Sequence, residues 1–369
     1  MTLELKSVAK RVGADVHIHP TSVVFERGKL NVLLGTTLAG KTSLMHLAAG
    51  LERPTGGEIW FDGVNVTGIP VRKRNVSMVY QQFINYPNFT VFENIASPLR
   101  VARVGEMEIR DRVGTMAELL KLSPMLDRRP SELSGGQQQR TAMARALVKD
   151  ADLVLLDEPL ANLDFKLREE LRDELPKLFA DRNCVVVYAT TEPPEALMLS
   201  GMTATMSEGR VTQFGPTGDV YRHPRDLVSA RVFSDPPINT VAVQKSGDHI
   251  VLGDSIRWPA AGALVDLADG PYVFGVRPHH VAPVPIGPTP VPFEGRVQVT
   301  ELSGSESVVH MDFLGNSWVC QTHGIHSFEV GAPATLHVDV SRGLYFDADE
   351  NFVCAGGAAS DADSARLDG

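Results

Sequence analysis

The chain has 369 residues, of which 43% are hydrophobic and 22% are charged, and its formal net charge is -10. A single hydrophobic core stops growing at roughly 250–300 residues, so this length predicts two domains. The acidic balance excludes an overall basic surface for nucleic acid, and we expect no nucleic acid partner.

Neither the cysteines nor the apolar segments suggest an extracellular or membrane-spanning protein. Cys184, Cys320 and Cys354 show no CxxC spacing, which predicts neither a zinc site nor a disulfide framework and fits a reducing cytoplasm. No uncharged apolar stretch approaches the roughly 18–20 residues that a membrane helix needs. A role at a membrane would therefore come through partner subunits.

The first clear pattern in chain order is a strand, a glycine-rich loop and a helix. Apolar runs at 23–25 and 30–34 predict strands, and GTTLAGKT at 35–42 matches the phosphate-loop motif G-x-x-x-x-G-K-[ST] in that context. Backbone N–H groups would surround a β-phosphate, Lys41 would neutralise phosphate oxygens and Thr42 would place its hydroxyl on Mg²⁺. An ordinary glycine turn, the alternative, leaves Lys41 unexplained. The predicted nucleotide-binding residues of this segment are Gly35, Thr36, Thr37, Leu38, Ala39, Gly40, Lys41, Thr42 and Ser43.

Helices are expected between about 88 and 150. Apolar residues at three- and four-residue spacing from Val104 to Leu122 predict helical structure. The segment LSGGQQQR then places Ser134 and two glycines before another helix, which starts near Gln137. Such a helix start can bind an anion, although a plain serine cap is the alternative for the segment taken alone.

The segment LVLLDEP, residues 153–159, ends a buried strand in two carboxylates. Asp157 can hold a magnesium shell and Glu158 can polarise an attacking water. A solvated strand end is the alternative, and the phosphate loop upstream favours catalysis. The apolar runs at 153–156 and 184–188, separated by a charged helical stretch, predict parallel strands with a crossover helix. Residues 1–235 thus predict an α/β domain.

The sequence pattern changes after SDPPIN, residues 234–239. Short β-prone runs punctuated by glycine and proline predict a small β-barrel-like domain over 236–355. The small, polar residues 356–369 are expected to form a disordered tail.

The phosphate loop, LSGGQ and the aspartate-glutamate strand end, in this order, resemble the nucleotide-binding domains of ABC transporters. The resemblance implies a P-loop NTPase fold with a helical insert, and an ATPase that uses ATP and Mg²⁺. Gln81 would touch Mg²⁺ and the attacking water, and LANLD at 160–164 resembles the family's D-loop, which includes Asp164. In the implied head-to-tail dimer, one chain closes the ATP site of the other with signature residues Ser134, Gly135, Gly136 and Gln137.

The resemblance continues beyond residue 235. GVRPHHV at 275–281 and the segment 295–310 resemble the OB-fold-type regulatory domain of carbohydrate-importer ATPases related to the maltose system, with an Arg-Pro turn between strands as the alternative. It implies a subunit on the cytoplasmic face of the inner membrane, bound to two membrane-spanning permease subunits and served by a periplasmic or extracellular solute-binding protein. YATTEPPEAL together with SDPPIN resembles one subunit of glycerol-uptake systems with two unlike ATPases, which implies a carbohydrate or polyol such as glycerol as solute.

Three positions depart from the family pattern. Val12 stands where the family places an aromatic side chain against adenine, and Leu38 stands where this branch has glycine. Thr191 replaces the switch histidine that contacts the γ-phosphate, and its hydroxyl cannot carry a positive charge. We therefore expect slow hydrolysis by Glu158, Gln81 and Thr191, and a heterodimer with a second ABC ATPase, with a homodimer of this chain as the alternative.

The permeases are expected to dock near Gln81–Tyr86 and Pro87, where aromatic side chains cluster: Phe83, Tyr86 and Phe89. A loop packed over the helical insert is the alternative. The rival function is a regulatory subunit that clamps nucleotide with little or no turnover. A soluble ABC ATPase of repair or translation is disfavoured by the acidic charge and the β domain.

Overall fold

The computed structural model describes residues 2–161, 163–180 and 182–357. The chain divides into two compact units, residues 1–218 and residues 219–369. Almost all of the tail that the sequence predicts to be disordered, from residue 358 onward, lies outside the described residues. Within the described ranges, no helix is both long enough and apolar enough to cross a bilayer.

The first unit contains both strands and helices. Its elements are β1 (Thr2–Val12), β2 (Asp15–Glu26), β3 (Leu30–Leu34), α1 (Lys41–Ala49), β4 (Gly56–Phe61), β5 (Val64–Asn65), β6 (Val76–Val79), α2 (Val91–Val101), α3 (Glu106–Leu119), α4 (Gly135–Leu147), β7 (Leu153–Asp157), α5 (Phe165–Ala180), β8 (Val185–Thr190), α6 (Pro193–Leu199), β9 (Met202–Ser207) and β10 (Arg210–Pro216).

Two sheets form in this unit. An antiparallel sheet has the order β2-β1-β4-β5, and a larger sheet has the order β10-β9-β3-β8-β7-β6. In the larger sheet every neighbouring pair except β9 and β10 is parallel. All residues of β3, β7 and β8 are buried, as expected for parallel strands covered on both faces. The prediction of a parallel sheet with a crossover helix is confirmed.

The parallel register brings three strand ends to one edge of the sheet. Leu34 at the end of β3 pairs with Thr190 at the end of β8, and Asp157 at the end of β7 pairs with Ala189. The loops that follow these strands must therefore lie side by side, which is where ligands bind in open α/β sheets.

Helices α2, α3 and α4 occupy the span in which the insert was expected. Thr90 caps α2, since its side chain accepts a hydrogen bond from Glu93 N. Ser134 caps α4 and exchanges two hydrogen bonds with Gln137 in a capping box. The starts of α2 and α4 are thus each defined by a local hydrogen bond.

The second unit is rich in strands. After α7 (Thr217–Arg222), which bridges the boundary, come α8 (Leu227–Val232), β11 (Asn239–Ser246), β12 (His249–Leu252), β13 (Ile256–Pro259), β14 (Gly270–Val276), β15 (Val281–Ala282), β16 (Pro290–Leu302), β17 (Glu306–Phe313), β18 (Asn316–His323), β19 (Pro333–Asp339), β20 (Leu344–Phe346) and β21 (Phe352–Ala355). They form antiparallel sheets of order β13-β12-β11-β14-β20-β21 and β15-β19-β16-β17-β18. One core cluster takes side chains from both, among them Trp258, Phe293 and Trp318. The prediction of a small β domain is confirmed.

The boundary between the units lies earlier than the sequence suggests. Residues 219–235 belong to the second unit because Leu227 and Ala230 of α8 form a cluster with Ile238 and two side chains of β20. Leu227 N also donates to Glu350 O at 2.9 Å. The sequence of a short helix next to an α/β domain does not indicate which hydrophobic core the helix packs against.

Candidate nucleotide-binding site

The phosphate loop joins β3 to α1 and has a backbone that suits small residues at two points. A Cβ on Gly35 would lie 2.6 Å from Met206 O, so a larger residue does not fit. Gly40, at φ +100°, occupies the position before α1 in a conformation that L side chains rarely adopt. Leu38 has φ +69° and a side chain that is 95% exposed. The loop therefore forms with leucine at a left-handed position, at a cost of roughly 1–2 kcal/mol.

Lys41 is buried and its ammonium group has three partners. Its Nζ donates to Gly35 O at 2.8 Å and to Thr36 O at 3.1 Å, and it lies 3.3 Å from the carboxylate of Glu158. The charge is thus held at the mouth of the loop, where the neighbouring N–H groups of the α1 N-terminus also favour an anion.

Asp157 and Thr42 together form an oxygen-rich corner. Thr42 Oγ1 donates to Asp157 Oδ2 at 2.7 Å. Burial raises the pKa of the Asp157 carboxyl above its ordinary value, while the Thr42 hydrogen bond acts in the opposite direction. Within the described residues, the other oxygen, Oδ1, is buried and has no hydrogen-bond partner. A buried carboxylate oxygen without a partner, beside a hydroxyl, fits Mg²⁺, which prefers hard oxygen ligands.

Glu158 and Gln81 meet at the same edge of the sheet. Gln81 Nε2 donates to Glu158 Oε2 at 3.0 Å, although the two residues are far apart in sequence. Glu158 N donates to Ala189 O, and the residue has φ +46°, an uncommon conformation for a side chain of this size. Strained backbone of this kind is typical of functional sites.

The two remaining departures lie at the margin of this arrangement. Thr191 is half-buried and directly follows Thr190, whose carbonyl accepts a hydrogen bond from Gly35 N. The switch position is therefore next to the phosphate loop. Val12 is 50% exposed at the end of β1, where the strand turns toward β2. Ser43 lies half-buried in the first turn of α1.

The signature segment is exposed and contacts the segment 80–89. Ser134 and Gly135 are both solvent-exposed at the start of α4. A Cβ on Gly135 would lie 3.9 Å from the ring of Phe83. Asn85 Nδ2 donates to Gln138 O at 2.8 Å and so joins the same segment to α4. An exposed signature is what the implied contact with another chain requires.

Two residues that the sequence did not single out hold the segment 80–89 in place. Asn94 is fully buried on α2, accepts from Tyr86 N and donates to the carbonyls of Tyr86, Phe89 and Thr90. Arg145 of α4 donates to Ile84 O, and its guanidinium lies 4.9 Å from the Tyr86 ring centre. A polar residue at an inward helical position, between Val91 and Ile95, is the one signal that could have revealed Asn94.

The D-loop aspartate has a local structural role. Asp164 Oδ1 accepts from Leu167 N at 3.0 Å, and Asp164 O accepts from Arg168 N at 3.0 Å, so the residue caps α5. Its side chain is exposed.

Known proteins match the chain along nearly its whole length. A family model described as ABC transporter matches residues 18–161. The sn-glycerol-3-phosphate import ATP-binding protein UgpC of Pectobacterium atrosepticum is 33% identical over 349 residues, 94% of this chain and 97% of that protein. UgpC of Jannaschia sp. is 35% identical over 338 residues, 92% and 95% of the two chains. The ABC transporter ATP-binding protein YcjV of Escherichia coli O157:H7 is 32% identical over 353 residues, 94% and 98%.

A solved ATP-binding cassette is similar to part of this chain. The dimeric structure of a post-hydrolysis state of the ATP-binding cassette MJ0796, bound to ADP and Pi, is similar with a TM-score of 0.54 and 27% identity; the match covers 58% of this chain and 98% of that chain. The chain therefore belongs to the ATP-binding subunits of ABC transporters and is an ATPase.

Proposed function

We propose that this ATPase subunit energises the import of a polyol phosphate, with sn-glycerol-3-phosphate as the solute. The observation that carries the proposal is the similarity to UgpC, which extends through both the ATP-binding unit and the β domain. The proposal replaces glycerol, the polyol that the sequence suggested, with its phosphate ester. It also places the subunit on the cytoplasmic face of the inner membrane, with a solute-binding protein on the other side.

The chemistry follows from the residues at the edge of the sheet. Lys41 and the loop N–H groups bind the phosphates of ATP, and Thr42, Asp157 and Gln81 would hold Mg²⁺, which supplies charge neutralisation at the phosphate oxygens. Glu158 accepts a hydrogen bond from the attacking water and takes its proton, while Gln81 orients the Glu158 carboxylate. Thr191 donates one neutral hydrogen bond where the family uses histidine.

The segment 80–89 supports docking of two permease subunits. Ile84, Tyr86 and Phe89 are exposed hydrophobic side chains, and Pro87 beside them is exposed as well. Tyr86 and Phe89 also line a groove of about 960 Å³ that runs along α2 and α4. Asn94 and Arg145 fix the segment to these helices. A displacement of this surface by a permease would therefore move both α4, which begins in the signature segment, and Gln81.

We further propose that the second ATPase in the transporter is a different chain. The centre of this site is intact, while Val12, Leu38 and Thr191 depart from the family at its margin. A partner with an intact site, closed by Ser134 and Gly136 of this chain, would explain why the signature is retained. The alternative, a subunit that clamps nucleotide with little turnover, is favoured by the same three departures.

The test is purification of the chain with its partners from native membranes, followed by mass spectrometry and reconstitution into vesicles. The proposal predicts two permeases, a second ATPase and ATP-dependent uptake of labelled sn-glycerol-3-phosphate that unlabelled glycerol or maltose does not compete away. Competition by maltose would refute the solute assignment. Finding one kind of ATPase in the complex would refute the heterodimer.

A further inference from the structure

One guanidinium group connects two catalytic segments of this site. Arg168, in the first turns of α5, donates through Nη1 to Glu192 Oε1 at 2.9 Å and through Nη2 to Ala161 O at 3.2 Å. Glu192 directly follows Thr191, and Ala161 belongs to the D-loop. The planar fork of arginine fixes the geometry of both bonds at once, which lysine could not reproduce.

Backbone hydrogen bonds connect the D-loop to Glu158, the proposed general base, and complete a closed ring of contacts. Ala161 N donates to Glu158 O at 3.3 Å, and Glu158 N donates to Ala189 O at 3.0 Å. On the other side, Glu192 N donates to Thr190 Oγ1 at 3.0 Å. The path from Glu158 through the D-loop and Arg168 to the residues around Thr191 is therefore continuous, and each of its steps is a hydrogen bond or a chain neighbour.

The Arg168–Glu192 pair contributes little to stability, since its side chains are 24% and 42% exposed. At this exposure water screens the two charges, and both side chains lose entropy when the pair forms. What the pair does provide is a fixed distance between the D-loop and the corner that carries Thr191.

We infer that Arg168 is a positioning residue, which holds Thr191 and Glu158 in register and transmits the position of the D-loop to the switch corner. The D-loop Ala161 is exposed, so an approaching second ATPase can reach it. The inference rests on the proposed roles of Glu158 and Thr191, and it predicts that Arg168 acts on turnover rather than on nucleotide affinity.

The test compares Arg168→Gln with Arg172→Gln in the purified, reconstituted complex. Arg172 lies one turn further along α5 and donates to Glu169 Oε1 and Met198 Sδ, so it controls for loss of an arginine from this helix. Arg168→Gln is expected to lower kcat by about threefold to thirtyfold, the range of coupling found along such networks, with little change in KM. Arg172→Gln is expected to change kcat by less than about twofold.

A second pair of variants separates positioning from folding. Glu192→Gln removes only one of the two bonds of Arg168, so it is expected to lower kcat by no more than Arg168→Gln does. The double variant is expected to be no worse than Arg168→Gln alone, because that variant has already lost the contact between the two side chains. The charge exchange Arg168→Glu with Glu192→Arg is expected to recover part of the lost kcat, and all variants should keep the thermal midpoint of the wild type.

Additive losses in the double variant, a rise in KM with unchanged kcat, or equal losses in Arg172→Gln would each overturn the inference. The proposed solute has no bearing on these outcomes, because ATP hydrolysis is the readout. If the wild-type complex hydrolyses ATP and does not import sn-glycerol-3-phosphate, the proposed function fails while the role of Arg168 is still decided.

Discussion

The centre and the margin of the nucleotide site differ in how closely they keep the family pattern. At the centre, Lys41 and Thr42 at the start of α1 contact Glu158 and Asp157 at the end of the buried strand β7. At the margin, Val12 at the end of β1 and Leu38 in the loop before α1 are exposed side chains. Replacement at the centre would leave buried charges without partners, whereas replacement at the margin leaves the fold intact. The departures therefore mark where function can change without loss of structure.

The largest effect is expected from Glu158→Gln, because it removes the proposed general base. The ATPase rate of the assembled complex should fall by about 10²–10⁴-fold at unchanged ATP binding. Glu208→Gln, which changes an exposed carboxylate on a turn, is the matched control. An unchanged rate in Glu158→Gln would favour the clamp function over hydrolysis at this site.

Asp157→Asn changes the centre of the site, and two quantities report its effect: Mg²⁺-dependent ATP binding and the pH dependence of stability. Loss of a metal-binding carboxylate should weaken Mg²⁺-dependent ATP binding by about 10–100-fold in calorimetric titrations. Burial raises the Asp157 pKa, so the carboxyl stabilises the fold at low pH, and this contribution is lost as pH rises through the raised pKa. Without nucleotide, the Asp157→Asn substitution should therefore raise the thermal midpoint near pH 7, and the gain should shrink as the pH is lowered toward about 4. A gain that is independent of pH would contradict burial as the cause.

Thr191→His restores the family's histidine at the position proposed to contact the γ-phosphate. One donor of this kind is worth about 10²–10³ in rate where it is fully effective, and we expect a gain toward the lower end, since Glu158 and Gln81 are already in place. Steady-state ATPase assays of the complex provide the measurement, with Thr191→Asn as a neutral donor for comparison. Equal rates in wild type and Thr191→His would mean that threonine suffices.

Val12→Trp restores an aromatic face for adenine. Base stacking contributes on the order of 1–3 kcal/mol, so the Kd for ATP should fall by about fivefold or more. Val24→Trp, at another exposed valine of the same sheet, is the control for a general effect of an added indole. Equal affinity in Val12→Trp and wild type would show that adenine does not lie at this position.

The smallest effect is expected from Leu38→Gly. Relief of the left-handed backbone should raise the free energy of unfolding by about 0.5–1 kcal/mol, which denaturant titration can resolve. Leu38→Ala keeps a Cβ at φ +69° and should show no such gain. If alanine stabilises as much as glycine, exposure of the leucine, rather than backbone strain, is the cause.

The sequence predicted the centre of the site because its information there is local. The motif 35–42 contains the loop, the lysine and the threonine within eight positions, and the run 153–158 contains a buried strand together with its terminal carboxylates. The parallel strands were equally predictable, since β3, β7 and β8 are short and mostly apolar runs.

The sequence could not predict contacts between residues that are far apart in the chain. The Gln81–Glu158 bond, the Arg168 bonds and the Asn94 contacts each join segments whose approach depends on packing, and polar residues on helices carry no signal of a partner. The division at residue 218 differs from the boundary that the sequence suggested for the same reason, because α8 packs against β20 as well as Ile238, and β20 lies more than a hundred residues later.

Because of the ion pair between Lys41 and Glu158, ATP binding exchanges contacts within the chain for contacts to phosphate. The lysine already has three partners inside the chain, two carbonyls and a carboxylate, and a phosphate must displace at least one of them. The affinity for ATP is then a difference between two sets of contacts. Release of Glu158 from Lys41 would also free the base at the moment when the phosphate arrives, so that occupancy of the loop and readiness for hydrolysis become linked events.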